Sequence, residues 1–460
     1  MKVRNMLFTL SLVLVLILAA CGGADNNNDN NNNENVNNNE NVNEEANVTD
    51  EEVTLKIAAL ESGYGGEMWK EIAEAYESHY DNVTIELELA KNIEEVMRPE
   101  MQAGNYPDVF MLATDREEAL TETMIKENAL ENIDDIFTQT VSTEDVTVEE
   151  KLLDGFTDTL ATNPYADGET YMAPMFYSPT GLFYNKALLE EKGWDLPETW
   201  EDMWDLGEKA EEEGISLFTY PVAGYFDTFI GALLYASGGP DLFDDVMTYT
   251  EDVWYTDEAT RVLEVVEKLA DYTHPNTVAN ANPNDFTKNQ QLVLDNEAIF
   301  MPNGNWVIGE MEEAPRADGF EWGMMPVPSF GEEGEQYAFT FFEQIWIPKE
   351  AENKEVAKDF LTFLYSDEAA DIFYETGGAV QPIEGMVDKL DEESKVFYSV
   401  YEEGALPAMG TFASTDPVPG VSINDELYER IDSLMSDRLT LEEWQDAISE
   451  ASDKLREAMN

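Results

Sequence analysis

The spacing of apolar residues changes period repeatedly along the chain, and each change marks an element. From Val53 the pattern alternates through Leu55 and Ile57, then runs apolar to Leu60, as an opening strand does. Glu61-Ser62-Gly63-Tyr64-Gly65-Gly66 reads as a loop, after which Met68, Trp69, Ile72, Ala75 and Tyr76 recur at helical spacing. Residues 83–89 alternate again, 92–103 read as a helix with Met97 and Met101 inward, and 108–113 form a continuous apolar run. This strand-helix succession predicts an α/β layout with a mostly parallel sheet.

Further on, 171–188 contains two apolar runs flanking Ser178-Pro179-Thr180. Pro179 and Gly181 predict an irregular crossing there, as at a hinge between lobes. Thr199 is placed as the N-cap of a helix reaching 213, with Trp200, Met203, Trp204 and Leu206 as core. A strand at 218–221 precedes a helix carrying Tyr225, Phe226, Phe229, Leu233 and Leu234 that should end near Gly238-Gly239. Helices are expected at 256–272, 284–295, 356–364, 368–376, 420–435 and 440–459, the last opened by Thr440 with Glu443 three residues on. A strand is expected at 339–348.

Residues 299–311, IFMPNGNWVIGEM, combine three signals. A buried strand ends at Pro302, a polar turn follows, and Val307, Ile308 and Met311 have helical spacing. Such junctions are where α/β folds bind ligands. This one offers two side-chain amides, a helix start and a Trp face, with no nucleophile, proton shuttle or metal ligand. The plainer alternative is a structural turn with a core Trp.

Length and charge narrow the classes. A chain of 460 residues suggests about two domains. Its 25 Lys plus Arg against 98 Asp plus Glu give −73, which argues against nucleic acid and against an anionic membrane surface as partner of the folded part. The acids are interleaved with apolar and aromatic residues, so they belong to the surface of a folded protein. Self-repulsion at that charge is relieved by salt, so a saline or alkaline habitat is expected. The two histidines and single cysteine argue against a zinc site and exclude an intramolecular disulfide.

The first residues read as a processing segment. Lys2 and Arg4 precede an apolar run from 7 to 20 that is too short for a stable span. The run ends in Leu18-Ala19-Ala20-Cys21-Gly22, which resembles a bacterial lipobox and implies lipid attachment at Cys21. An ordinary signal peptide with an incidental cysteine is the alternative. Residues 22–50, mostly Asn with acids, lack apolar periodicity and read as a tether.

Several landmarks recur in one order: Phe183-Tyr184-Asn185-Lys186-Ala187-Leu188, Leu196-Pro197-Glu198-Thr199-Trp200-Glu201-Asp202, Gly238-Gly239 and Ala298-Ile299-Phe300-Met301. Gly304-Asn305-Trp306, Met325-Pro326-Val327-Pro328, Trp346-Ile347-Pro348 and the helix beginning at Lys354 complete them. From Val53 onward the chain resembles the extracellular solute-binding proteins of sugar ABC transporters, of the maltose-binding-protein type. FMPNGNW followed by GEM looks most like the members for N-acetylglucosamine and chitooligosaccharides. It departs from the maltose type in lacking the acidic residue often found near Ser178.

The resemblance implies an α/β, two-lobe periplasmic-binding-protein-like fold (type II), with the cleft between lobes joined by a hinge. The implied divisions are a signal peptide at 1–20 and a tether at 21–52. Lobe 1 would take 53–179 plus 340–395, and lobe 2 would take 180–339 plus 396–460. It also implies a sugar ligand, a membrane permease as partner, and a monomer with no cofactor and no enzymatic activity; the lipobox and tether fit this without being needed for it, and imply a lipid anchor on the outer face of the cell membrane. Carried over onto this sequence, Trp306 is the stacking platform, with Asn303 and Asn305 beside it. Asp115 and Arg116 would contribute from the first lobe; an N-cap and a surface ion pair is their alternative. Tyr177 and Ser178 fall at the crossing, Tyr225 in the second lobe, and Glu343 and Trp346 on the returning strand. Glu61 and Tyr64 lie on the first loop, and Gly377 and Gly378 would let backbone approach the ligand. The physical logic is that sugar C–H faces want aromatic rings and hydroxyls want amides and carboxylates. A solute such as a polyamine or a peptide is the alternative; a secreted glycosidase is weaker, since ubiquitous carboxylates single out no catalytic pair.

Overall fold

Every strand found in the computed structural model belongs to one connected sheet. The structure describes residues 51–61, 64–114, 116, 118–157, 159–165, 167–331, 334–413 and 415–459, all within the compact unit Ala46–Asn460. The leader, the lipobox with Cys21, the tether and Asp115 lie outside the described residues. The strands are β1 (Val53–Leu60), β2 (Val83–Ala90), β3 (Val109–Met111), β4 (Met172–Asn185), β5 (Ser216–Phe218), β6 (Ala298–Gly304), β7 (Trp322–Met325), β8 (Tyr337–Trp346) and β9 (Leu406–Ala408). Their order is β2-β1-β3-β8-β4-β6-β5, with β7 on β4 and β9 on β8.

The parallel pairs expected from the strand-helix succession are present between β1 and β2, β1 and β3, and β5 and β6. The middle of the sheet is antiparallel, because β8 returns from far along the chain to fill the space between β3 and β4. Two half-sheets are thus joined through β4 and β8. Residues 171–188 were expected to form two strands and instead form one, β4, with an irregularity between Pro174 and Phe176. Met172–Pro179 pairs with β8, and from Thr180 onward β4 pairs with β6 and β7. The ladder to β8 ends at Pro179, which has no N–H to continue it. The crossing therefore falls at the anticipated residues, while extended backbone continues through it.

Local signals set most helix starts. Thr199 with Asp202 and Thr440 with Glu443 both form reciprocal capping boxes. The run Phe226–Met247 is broken at Gly239, whose φ of 72° favours glycine, and Pro240 follows the break. The expected helix at 420–435 is two short ones, Ile423–Leu427 and Ile431–Leu434. The helix expected after Trp306 is the single turn Val307–Glu310. Several helices, among them Leu120–Lys126, Lys186–Lys192 and Glu392–Glu402, have no counterpart in the sequence reading, although Asp391 caps the first turn of the last.

The apolar faces gather into separate cores. One packs Trp69, Ile72, Tyr76, Phe360 and Phe363 around β1 and β3. Another packs Phe226, Trp254, Val262, Leu263 and Trp444 around β5 and β6. Trp200, Met203 and Leu206 lie in the second, as their spacing predicted. Trp204 is only partly buried, stacked on Tyr272 with Lys268 over its ring.

Candidate functional site

Strand β8 changes neighbours along one edge. Tyr337–Phe339 pairs with β9, and Ile345–Trp346 pairs with β3. Between them, residues 340–343 have β4 on one side and no strand on the other, while the Gln344 carbonyl accepts from the Leu112 N–H just past β3. A cavity of about 630 Å³ opens against this gap. Thr114 and Ala161 line it from the first half; Asp227 and Thr228, from the helix after Tyr225, line it from the second. Asp425 and Tyr428 add a wall from near the end of the chain.

Strand alternation decides which side chains enter this cleft. Pairing sets Ser178 opposite Phe341 and Phe176 opposite Glu343, so these four share one face. Phe341 is 45 % exposed within an otherwise largely buried strand. Trp306 approaches it at 5.6 Å between ring centres and Tyr225 at 6.3 Å, and Trp306 Nε1 donates to the Tyr225 hydroxyl at 3.3 Å. Burial raises the Tyr225 pKa, and the indole hydrogen bond opposes that rise.

Gly304 fixes where the indole lies. A Cβ at that position would stand 2.1 to 2.5 Å from three atoms of the Trp306 ring. Only glycine lets the ring fold back over the end of β6, and this gives the Gly-Asn-Trp triplet its physical meaning.

Polar groups ring the aromatic corner. Asn305 Nδ2 donates to the Tyr398 hydroxyl at 3.3 Å, and that hydroxyl donates to the Tyr177 carbonyl at 3.2 Å. The Ser178 side chain lies near both Tyr64 and Tyr398 and opposes the rise that burial imposes on each. Tyr64 is raised by burial, then by the nearby Glu343 charge, with Ser178 opposing. Desolvation pushes Glu343 up to about 7, restrained by the positive charge of Arg116. The guanidinium of Arg116 is itself bound to Glu94. Gly377 packs on the same loop: a Cβ there would meet Met68 Sδ at 2.5 Å and the Tyr64 carbonyl at 3.4 Å.

Of the expected residues Glu343 lines the cavity itself; Trp306 packs beside the lining residue Phe341, Tyr225 packs on Trp306, and Ser178 pairs opposite Phe341, while Asn305, Tyr64 and Arg116 lie around that face of the sheet. Glu61 is partly buried on the same loop as Tyr64. Gly378 is exposed with φ +69° and caps the turn Phe373–Gly377.

Three expected contacts are corrected. Trp346 is 0 % exposed, stacked on Phe110 at 4.8 Å with its Nε1 donating to the Leu112 carbonyl, so neither ring face is open. Tyr177 is 1 % exposed and packs on Phe156 and Tyr401, because alternation turns it away from the face that carries Ser178. Asn303 is buried, with its Oδ1 accepting from the Gly304 N–H, and serves the turn. Conversely, Phe341 and Tyr398 were not anticipated as site residues. Phe341 lies in a run where both faces carry aromatics, which hides the exposed one; Tyr398 lies in Glu392–Glu402, a helix without a sequence counterpart.

Two half-sheets joined by crossing strands, with an aromatic and polar cleft at the crossing, define a two-lobe periplasmic-binding-protein-like fold. The bacterial solute receptor AcbH has a similar structure, with a TM-score of 0.68 over 88 % of this chain and 99 % of that chain at 16 % identity. The chain belongs to the bacterial extracellular solute-binding protein family, whose description matches residues 71–397. It is 24 % identical to the diacetylchitobiose binding protein NgcE of Streptomyces coelicolor, covering 73 % of this chain and 70 % of that one. It is 22 % identical to the galactooligosaccharide-binding protein of Bacillus subtilis, covering 80 % of each.

Proposed function

We propose that this protein captures an oligosaccharide in the cleft against β8 and delivers it to the permease of an ABC importer. The observation that carries the reading is the corner formed by Trp306, Phe341 and Tyr225 beside Ser178, Asn305, Tyr64 and Glu343. Ring faces suit sugar C–H faces, and the surrounding groups both donate and accept hydrogen bonds, as hydroxyls require. Names of relatives favour a glycan, and NgcE favours a chitooligosaccharide. Within this proposal the lobes are 53–179 plus 340–395 and 180–339 plus 396–460. Cys21 carries a lipid and the Asn-rich segment holds the folded unit off the outer membrane face.

Titration of the purified chain at high salt against chito-, galacto-, arabino- and maltooligosaccharides, read by Trp fluorescence and calorimetry, tests the reading. The expected result is saturable binding with the glycan recovered intact. Binding of spermidine or peptides with no response to any glycan would overturn it. A cationic solute is the second reading, because Asp227, Glu343, Asp425 and Glu429 line the cavity. Mass spectrometry of membrane-extracted protein tests for the lipid at Cys21, and Cys21→Ser should release the protein to the medium.

A further inference from the structure

Two rings from separate elements line the cavity against β8. One is Phe341 on the strand itself. The other is Phe412, from the segment after β9, which takes no part in the corner at Trp306. Phe412 is only partly buried and stacks on Tyr249, with 5.5 Å between ring centres and 14° between planes. Tyr249 is buried beneath it. Two hydrogen bonds close the stack: the Ala413 N–H donates to the Met247 carbonyl at 2.9 Å, and the Tyr249 hydroxyl donates to the Ala413 carbonyl at 3.1 Å.

The backbone under this stack is strained. Tyr249 has φ 58°, which a bulky side chain rarely adopts. Its N–H donates to the Val246 carbonyl at 3.1 Å, and Arg456 Nη1 donates to its carbonyl at 3.1 Å. Strain of this kind persists only where the surroundings impose it, and it clusters at ligand sites. Gly410 has φ +127°, and a Cβ there would stand 2.7 Å from Phe243 Cε1. Gly304-Asn305-Trp306 and Gly410-Thr411-Phe412 thus share a device: a glycine with no room for a Cβ brings the chain in just ahead of an aromatic ring at the cleft.

The lining around Phe412 is mixed. Phe243 and Met247 are apolar, while Thr411, Asn424 and Asp425 bring a hydroxyl, an amide and a carboxylate. A flat ring beside groups that both donate and accept suits the C–H face and hydroxyl edge of a pyranose. The cavity measures about 630 Å³. A pyranose residue within a chain fills about 200 Å³ at the packing density of protein interiors. The cavity therefore has room for about three residues, more than a monosaccharide or a disaccharide fills.

We propose that Phe412, held on Tyr249, is a second sugar platform, and that the ligand is a chain of at least three pyranose residues, one against Phe341 and another against Phe412. The proposal rests on the glycan reading above and adds the chain length. A disaccharide seated at Phe341 leaves Phe412 uncovered, so the next residue should bring a step in affinity that depends on this ring.

Calorimetry on the full chain at high salt would compare mono- to hexasaccharides of the chito, galacto and malto series. In the series that binds, the trisaccharide should bind at least roughly tenfold tighter than the disaccharide. Phe412→Ala, checked for an unchanged fold by circular dichroism, should weaken the trisaccharide at least roughly tenfold and leave the disaccharide within about twofold. Phe412→Leu keeps apolar bulk on Tyr249 and removes the flat face; it should show the same length-dependent loss, and it replaces the alanine variant if that variant does not fold. Equal affinity for the two lengths, or an equal loss for both in the variants, would overturn the proposal and leave the glycan reading standing. No binding of any glycan by the wild-type chain would overturn both.

Discussion

Gly304→Ala is the sharpest perturbation of the cleft. The added methyl carbon would stand 2.1, 2.2 and 2.5 Å from Cζ3, Cη2 and Cε3 of Trp306. Carbon atoms settle at about 3.5–4.0 Å, so the ring must retreat by roughly 1.5 Å. The Trp306 to Tyr225 hydrogen bond, already 3.3 Å long, would not survive that movement. Trp306 is only partly buried and can swing outward, and Gly304 does not have a left-handed φ, so alanine is tolerated by the backbone. The fold should lose no more than about 1–2 kcal/mol. Binding should suffer more. Covering about 100 Å² of an indole face contributes roughly 2–3 kcal/mol, which corresponds to about 30- to 140-fold in Kd. Calorimetric titration with the best glycan from the panel measures this, and thermal melting of the same sample measures the fold. Affinity within about twofold of wild type would show that Trp306 is not a platform held by Gly304.

Other consequences follow from the same geometry. Phe341→Ala should weaken glycan binding at least roughly tenfold with little change in melting temperature, because the ring is 45 % exposed in the free protein. Trp346→Ala should instead destabilise the fold by roughly 3–5 kcal/mol in chemical denaturation, since a fully buried stacked ring leaves a cavity. For Glu343 the folded-state pKa of about 7 lies above the ordinary carboxyl value, so the folded state holds the proton more tightly and stability falls as pH rises between the two. Glu343→Gln should therefore raise the melting temperature at alkaline pH and leave it nearly unchanged in acid, below both values. With a net charge of −73, the melting temperature of the whole chain should climb from low to molar salt; a flat response would refute the self-repulsion argument.

The parts legible in the sequence were those governed by neighbours. Thr199 and Thr440 announced their helices because a cap needs only the next three residues. Gly239 announced a break because its φ is a local requirement. Residues 178–180 announced a crossing because Pro179 cannot donate to a ladder. The Gly304-Asn305-Trp306 triplet stood out as a strand end with a large ring. The family landmarks extended that reading to Tyr225, Ser178 and Tyr64.

Tertiary structure decided what no local pattern carries. Trp306 and Trp346 both sit at strand ends rich in apolar residues. Whether such a ring becomes a platform or a core residue depends on what arrives from elsewhere, and for Trp346 that is Phe110 and the Leu112 carbonyl. Tyr177 and Ser178 are adjacent, and only the pairing register of β4 on β8 assigns them to opposite faces. Phe341 is open because β9 and β3 stop on either side of it, leaving an edge that residues far apart in the chain create together. The order of elements, their caps and the acidic character are properties of the sequence itself. The gap beside β8, and with it the cleft, exists only once long-range pairing has chosen which strands stop on either side of it.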